Sequence, residues 1–230
     1  MTTTTPLRIR TDIDGVRHDR AAVLGWELER GRTALRLLKR RLGDDRTRDL
    51  LAPDTAAADT AMAGWLRASG GRWRAAVTEL TATGIDAAAF LDWWRGRLHA
   101  PDRAALLAAN PEHYLADSAG DTVEIVETVG GGPLRFFLRF HPTPATARYP
   151  VRIGGTGHLA DGSEVLRVMH EFADSPEGLR IRLTVEFPAA APAELSTGHQ
   201  WHFACEFANW LEAAAAAGEA EAAGEAGEAR

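Results

Sequence analysis

The sequence predicts an α+β protein: a helical first half, an antiparallel sheet, then one long C-terminal helix. Three observations predict it. Residues 19–109 hold apolar side chains at helical spacing between caps and breakers. Residues 122–187 break into five runs separated by short turn signals. From 193 to 217 the chain then runs on, rich in Ala and aromatics, without a breaker strong enough to stop a helix.

Taken in order, residues 1–5 read as a disordered lead. Leu7, Ile9, Thr11 and Ile13 alternate with Arg8, Arg10 and Asp12, which predicts a short strand ended by Asp14-Gly15. Asp19 is placed to cap a helix over 19–42, whose apolar positions are Val23, Leu24, Leu28, Leu35, Leu38 and Leu42. Gly43-Asp44-Asp45 ends it. Its basic residues, Arg30 to Arg41, are surrounded by Glu27, Glu29, Asp44 and Asp45, which reads as a solvated face. Further helices are expected over 55–68 and 72–81, then one capped by Asp86 and a short one over 102–109.

Strands are expected over 122–129, 134–140, 149–159, 164–172 and 178–187. Gly130-Gly131-Gly132-Pro133, Ala160-Asp161-Gly162 and Ser175-Pro176-Glu177-Gly178 supply turns between them, and short turns between successive strands imply an antiparallel meander. The expected organisation is a lead over 1–5, a mainly helical region over 6–110, a sheet plus C-terminal helix carrying the site over 111–217, and a disordered Ala/Glu/Gly tail over 218–230. This order fits a helix-grip fold, as in the Bet v 1/START-like superfamily, where a curved sheet wraps the last helix around a cavity.

A formal charge of −6 argues against a nucleic-acid-binding protein. Cys205 is the only cysteine, so no intramolecular disulfide forms, which fits a reducing cytoplasm. No apolar run is long enough to span a membrane, and the first residues lack a signal peptide's apolar core. The expected partner is a small apolar or aromatic molecule, with neither nucleic acid nor membrane, and a homodimer is compatible with the chain.

The chemistry concentrates in the last helix. His199, His202, Glu206 and Asn209 recur at i, i+3, i+7 and i+10, one stripe of a helix. His202 and Glu206, at i and i+4, can offer two ligands to one metal ion, or form an ion pair. Further ligands are available in His113 and in either Glu124 or Glu127, which point to opposite faces of a strand, so at most one faces a cavity. His18, His99, His141 and His158 sit beside turn signals and receive no role.

Trp93-Trp94, Leu98 to Arg103, Asn110-Pro111-Glu112-His113, Glu127 to Gly130 and His202 to Asn209 occur in an order that resembles the 2,4-diacetylphloroglucinol hydrolase family, over roughly 93–211. In one motif His113 directly follows Pro111-Glu112, where the family has an intervening residue, and Tyr114 takes the fourth position. The resemblance implies a zinc-dependent carbon–carbon bond hydrolase with a Bet v 1-like domain. It implies metal ligands His113, Glu127, His202 and Glu206, and His170 as a general acid. Tyr114 is a second catalytic candidate, and Tyr149, Asn209 and His199 are candidates to bind substrate. The expected activity is metal-dependent cleavage of an acyl carbon–carbon bond in an acylated aromatic or β-dicarbonyl, polyketide-like molecule. The alternative is a metal-free helix-grip protein that binds or cyclises an apolar small molecule.

Overall fold

A computed structural model describes residues 9–98, 100 and 103–228, with side chains described through 220. The lead over 1–5, Leu7 and His99 lie outside the described residues. Two units emerge, Met1–Gly43 and Asp44–Arg230. In the first, β1 (Thr11–Ile13) and β2 (Val16–His18) pair antiparallel. Asp14 (φ 51°) and Gly15 (φ 79°) form the two-residue turn, the left-handed pair that suits a tight hairpin. β1 covers only the last three residues of the strand expected before Asp14-Gly15, and the expectation included no partner for it. A helix, α1 (Arg20–Ser69), follows, and its backbone leaves helical geometry at Gly43 (φ 69°, ψ 174°). Its start is capped as expected: the Asp19 carboxylate accepts from the Ala22 N–H at 2.7 Å.

In the second unit, β3 (Trp73–Ala82) replaces the helix expected over 72–81. Its Ala content suggested a helix. However, Ala76, Thr78, Leu80 and Ala82 share one face at period two, and ten residues pair with a later strand. Tertiary pairing thus overrides local propensity. Then come α2 (Ala87–Leu98), capped by Asp86 to the Ala89 N–H at 2.8 Å, and α3 (Ala104–Ala109). Strands β4 (His113–Ala119), β5 (Thr122–Thr128), β6 (Pro133–Pro142), β7 (Val151–His158), β8 (Glu164–Ser175) and β9 (Gly178–Pro188) follow, before α4 (Ala193–Glu228). The tail expected to be disordered from 218 continues α4 through Glu228, in keeping with the high helix propensity of Ala and Glu.

The seven strands form one antiparallel sheet in the order β3-β9-β8-β7-β6-β5-β4. The meander runs from β4 to β9, and β3 closes the far edge on β9. Leu183, Ile181, Phe172 and Phe136 on the sheet and Leu195, Phe203, Phe207 and Leu211 on α4 belong to one buried core, with Phe90 and Trp94 of α2. This is a helix-grip arrangement, an antiparallel sheet packed on one long C-terminal helix. The second half of α1 lies against β4, β5 and β6. There Arg48 reaches Asp117 at 2.7 Å and Glu124 at 3.0 Å, and Asp59 meets Arg135 at 3.2 Å. Among the described residues, no helix is long and apolar enough to cross a membrane.

Candidate metal centre

The site is built where β4, β5 and α4 meet. Register decides which side chains enter it. His113 pairs with Glu127, but the next pair is Leu115 with Val126. Two steps on β4 therefore match one on β5, and Tyr114 is the extra residue of a β-bulge. In a regular strand His113 and Leu115 would share a face. The bulge instead pairs His113 with Glu127 and Leu115 with Val126; Leu115 stays buried and also touches the cavity. His113 thereby reaches the cluster. Glu124 points the other way, to Arg48 at 3.0 Å.

His202 and Glu206 reach in from α4. His113 Nε2 lies 2.8 Å from His202 Nε2, 3.5 Å from Glu127 Oε2 and 3.7 Å from Glu206 Oε1. His202 Nε2 lies 3.3 Å from Glu127 Oε2 and 4.0 Å from Glu206 Oε2. All four are buried, with relative exposures of 7% for His113, 4% for Glu127, 3% for His202 and 8% for Glu206. A carboxylate removed from water needs compensating charge. Zinc holds nitrogen and oxygen ligands at about 2.0–2.1 Å, so tetrahedral ligand atoms stand about 3.3 Å apart. The observed separations bracket that spacing. His113, His202 and Glu206 offer donor atoms within 4.8 Å of one another, and Glu127 faces both rings from the sheet. The donor set fits zinc by number, type and spacing.

The surroundings support the ligands. His113 Nδ1 faces the Leu106 carbonyl at 3.5 Å, which directs Nε2 into the cluster. Glu112 Oε2 stands 3.9 Å from His202 Nδ1, and the Asn110 amide donates to the His202 carbonyl at 3.4 Å. The sequence reading gave Glu112 and Asn110 no role. Their signal was adjacency to His113, which carries no information about α4.

Electrostatics split the two carboxyls. Burial opposes ionisation of Glu127, but the His202 charge and hydrogen bond outweigh it, holding its pKa down to about 2. For His202, burial disfavours the charge, yet the Glu127 carboxylate prevails and lifts it to about 9. Burial pushes Glu206 up to about 8, with Glu127 adding repulsion against the pull of His202. Without a metal ion the cluster is thus a Glu127–His202 ion pair beside a protonated Glu206.

Next to the cluster lies a cavity of about 80 Å³, walled by apolar residues that include Trp94, Phe136, Leu138, Phe140 and Trp210. These wall residues share no sequence motif; only the curvature of the sheet gathers them. His170 and His199 also line the cavity. His199 stacks on His202, with ring centroids 5.3 Å apart. His170 stands among Phe207 (5.3 Å), Phe203 (5.6 Å) and Trp94 (6.1 Å), and neither ring nitrogen has a hydrogen-bond partner among the described residues. Burial pushes its pKa down to about 4, and that of His199 to about 3.

Tyr114, Tyr149 and Asn209 do not line this cavity. The Tyr114 hydroxyl accepts from Thr128 Oγ1 at 3.1 Å, across the bulge. Tyr149 is buried where its backbone closes a turn with Thr146 at 2.9 Å. Asn209 donates to the Ala109 carbonyl at 2.6 Å, tying α4 to α3.

One close approach sets the depth of α4. A Cβ on Gly198 would stand 2.6 Å from Gly130 N and 2.7 Å from Gly130 Cα. These are backbone atoms, which cannot swing aside. Gly198→Ala is therefore expected to cost about 1–3 kcal/mol in urea unfolding, as overpacking does. It should also weaken metal binding, because it lifts His202 away from Glu127. Unchanged stability would show that the helix and turn can separate freely.

No protein-family model matches the chain, and no curated protein does. Among solved structures it is similar to Ara h 8.0201, at 11% identity and a TM-score of 0.45, covering 62% of this chain and 98% of that one. It is also similar to an uncharacterized protein from Rhizobium leguminosarum, at 12% identity and a TM-score of 0.34, covering 60% and 92% of the two chains.

Proposed function

We propose that the protein is a metal-dependent hydrolase that cleaves an acyl carbon–carbon bond in a small acylated aromatic or β-dicarbonyl compound. One observation carries this reading: two imidazoles and two carboxylates from three separate elements converge on one buried point and line an apolar cavity. His113, Glu127, His202 and Glu206 would hold the ion. When bound, zinc supplies Lewis-acid polarisation of a carbonyl and activation of water. The apolar wall binds the ring and excludes bulk water. In the net reaction the acyl carbon gains hydroxide, the carbon–carbon bond breaks, and the ring carbon gains a proton.

His170, which lines the cavity, is the residue we assign to that proton. Its pKa of about 4 leaves it neutral at pH 7. An anionic phenolic oxygen bound beside it raises that value, so its role as an acid depends on a ligand carrying negative charge. His199 backs His202 and orients it. Tyr114, Tyr149 and Asn209 support the loops and helices around the site.

A second reading rests on the Glu127–His202 ion pair, which accounts for two of the buried charges without metal. The protein is then a helix-grip binder or cyclase for an apolar small molecule. The test is turnover of a panel of acylated phenols and β-diketones by zinc-loaded protein, followed by mass detection of the released carboxylic acid. His170→Gln is expected to lower kcat by about 10²–10⁴-fold with zinc content unchanged. Retention of an aromatic ligand with no acid released would favour the binder.

A further inference from the structure

The arm of α1 over residues 20–42 carries an apolar stripe that takes no part in the metal cluster. Ala21, Leu24, Leu28, Gly31, Leu35, Leu38 and Leu42 follow one another at alternate steps of three and four. That is a heptad repeat kept over three heptads, about 33 Å of helix. Leu24 is 47% exposed, Leu28 53%, Leu38 58% and Leu42 37%, while Leu35 is half-buried. Five leucines share this row, with Gly31 between Leu28 and Leu35, and a row of leucines at this exposure is the kind of surface that a second helix can cover. The stripe stops where the helical backbone stops, at Gly43.

The charges beside the stripe choose the partner. Glu27 precedes Leu28 and Arg32 follows Gly31, the two flanking positions that meet across a parallel coiled coil. A second copy lying parallel sets Glu27 against Arg32 twice, once on each side. The other flanking pairs, Arg20 with Gly25 and Ala34 with Lys39, bring no like charges together. Arg30, Arg36 and Arg40 occupy outward positions of the heptad and point to solvent. The segment is therefore complementary to itself.

We propose that residues 20–42 pair with the same segment of a second copy of this chain, as a short parallel coiled coil that makes the protein a homodimer. The proposal is independent of the metal centre, which lies wholly within residues 44–230.

Sedimentation equilibrium of the full chain over a dilution series tests it. The expected mass is twice the 24.9 kDa of one chain, falling to one chain on dilution. Leu28→Glu with Leu38→Glu puts charge into the stripe and should give a monomer at every concentration. Leu37→Glu changes a residue that is 45% exposed but lies off the stripe, and should leave the dimer intact. Glu27→Lys should weaken it about tenfold or more, by turning two attractive pairs into repulsive ones. Unfolding midpoints alike for all variants would show that the fold is unaffected. A wild-type monomer throughout overturns the proposal, and so does a dimer that survives the double substitution.

Discussion

Purified without an affinity tag, the protein is expected to hold about one zinc ion per chain, and His202→Ala to lose it. Glu206→Gln should weaken binding strongly, since it removes a negative ligand while keeping the shape. The apparent affinity should also rise with pH. In the metal-free cluster His202 titrates at about 9 and Glu206 at about 8, so both carry protons at pH 7. A metal ion requires both to be lost, and binding should release between one and two protons. That is a tightening of about ten- to a hundredfold per pH unit below pH 8. Titration calorimetry in buffers of different ionisation enthalpy measures the number. No zinc bound at any pH would sink the hydrolase reading.

The same groups set the stability of the metal-free protein. His202 and Glu206 both have folded pKa values above their ordinary ones, so their contribution is lost as pH rises through about 9 and about 8. His170 and His199 are held down, to about 4 and about 3, so the unfolded chain takes up protons first as pH falls below 6.5. Stability without metal is therefore expected to peak near pH 6 to 7 and to fall on the alkaline side. Zinc should remove that alkaline fall, because it replaces the protons. Thermal midpoints across pH, with and without zinc, check both signs.

Phe207→Ala is expected to cost about 3–5 kcal/mol and to be the most damaging truncation on α4. Phe207 is 1% exposed, and its ring centroid lies 5.2 Å from Trp210, 5.3 Å from His170, 6.0 Å from Phe90 and 6.1 Å from Phe203. It joins α4, α2 and β8 in one contact. The hole left behind cannot close easily, since Phe90 and His170 are anchored to α2 and β8 while Phe203 and Trp210 are held on α4 itself. Trp201 gives the contrast. It sits six residues earlier on the same helix but is 76% exposed. Trp201→Ala is expected to change stability by less than about 0.5 kcal/mol. Urea unfolding of the two variants should separate them clearly. Equal losses would mean that α4 is not seated on the sheet as described.

The α4 stripe was legible because a helix places i, i+3 and i+7 together whatever surrounds it. His202 and Glu206 could thus be paired from spacing alone. Alternation on β5 separated Glu127 from Glu124 in the same way, since successive strand residues face opposite sides. The caps at Asp19 and Asp86 are equally local: one side chain and the N–H three residues on. By contrast, β3 reads as a helix in isolation, and becomes a strand because β9 offers it a ladder of hydrogen bonds. The pairing of His113 with Glu127 depends on a bulge, and a bulge exists only relative to the strand it pairs with. The cavity wall draws on α2, β6 and α4, which only a curved sheet brings together. Residue type and periodicity thus determined five of the seven strands, the long last helix and a pool of candidate ligands. Pairing between distant strands decided which of those ligands meet, because register is a property of two strands and not of one.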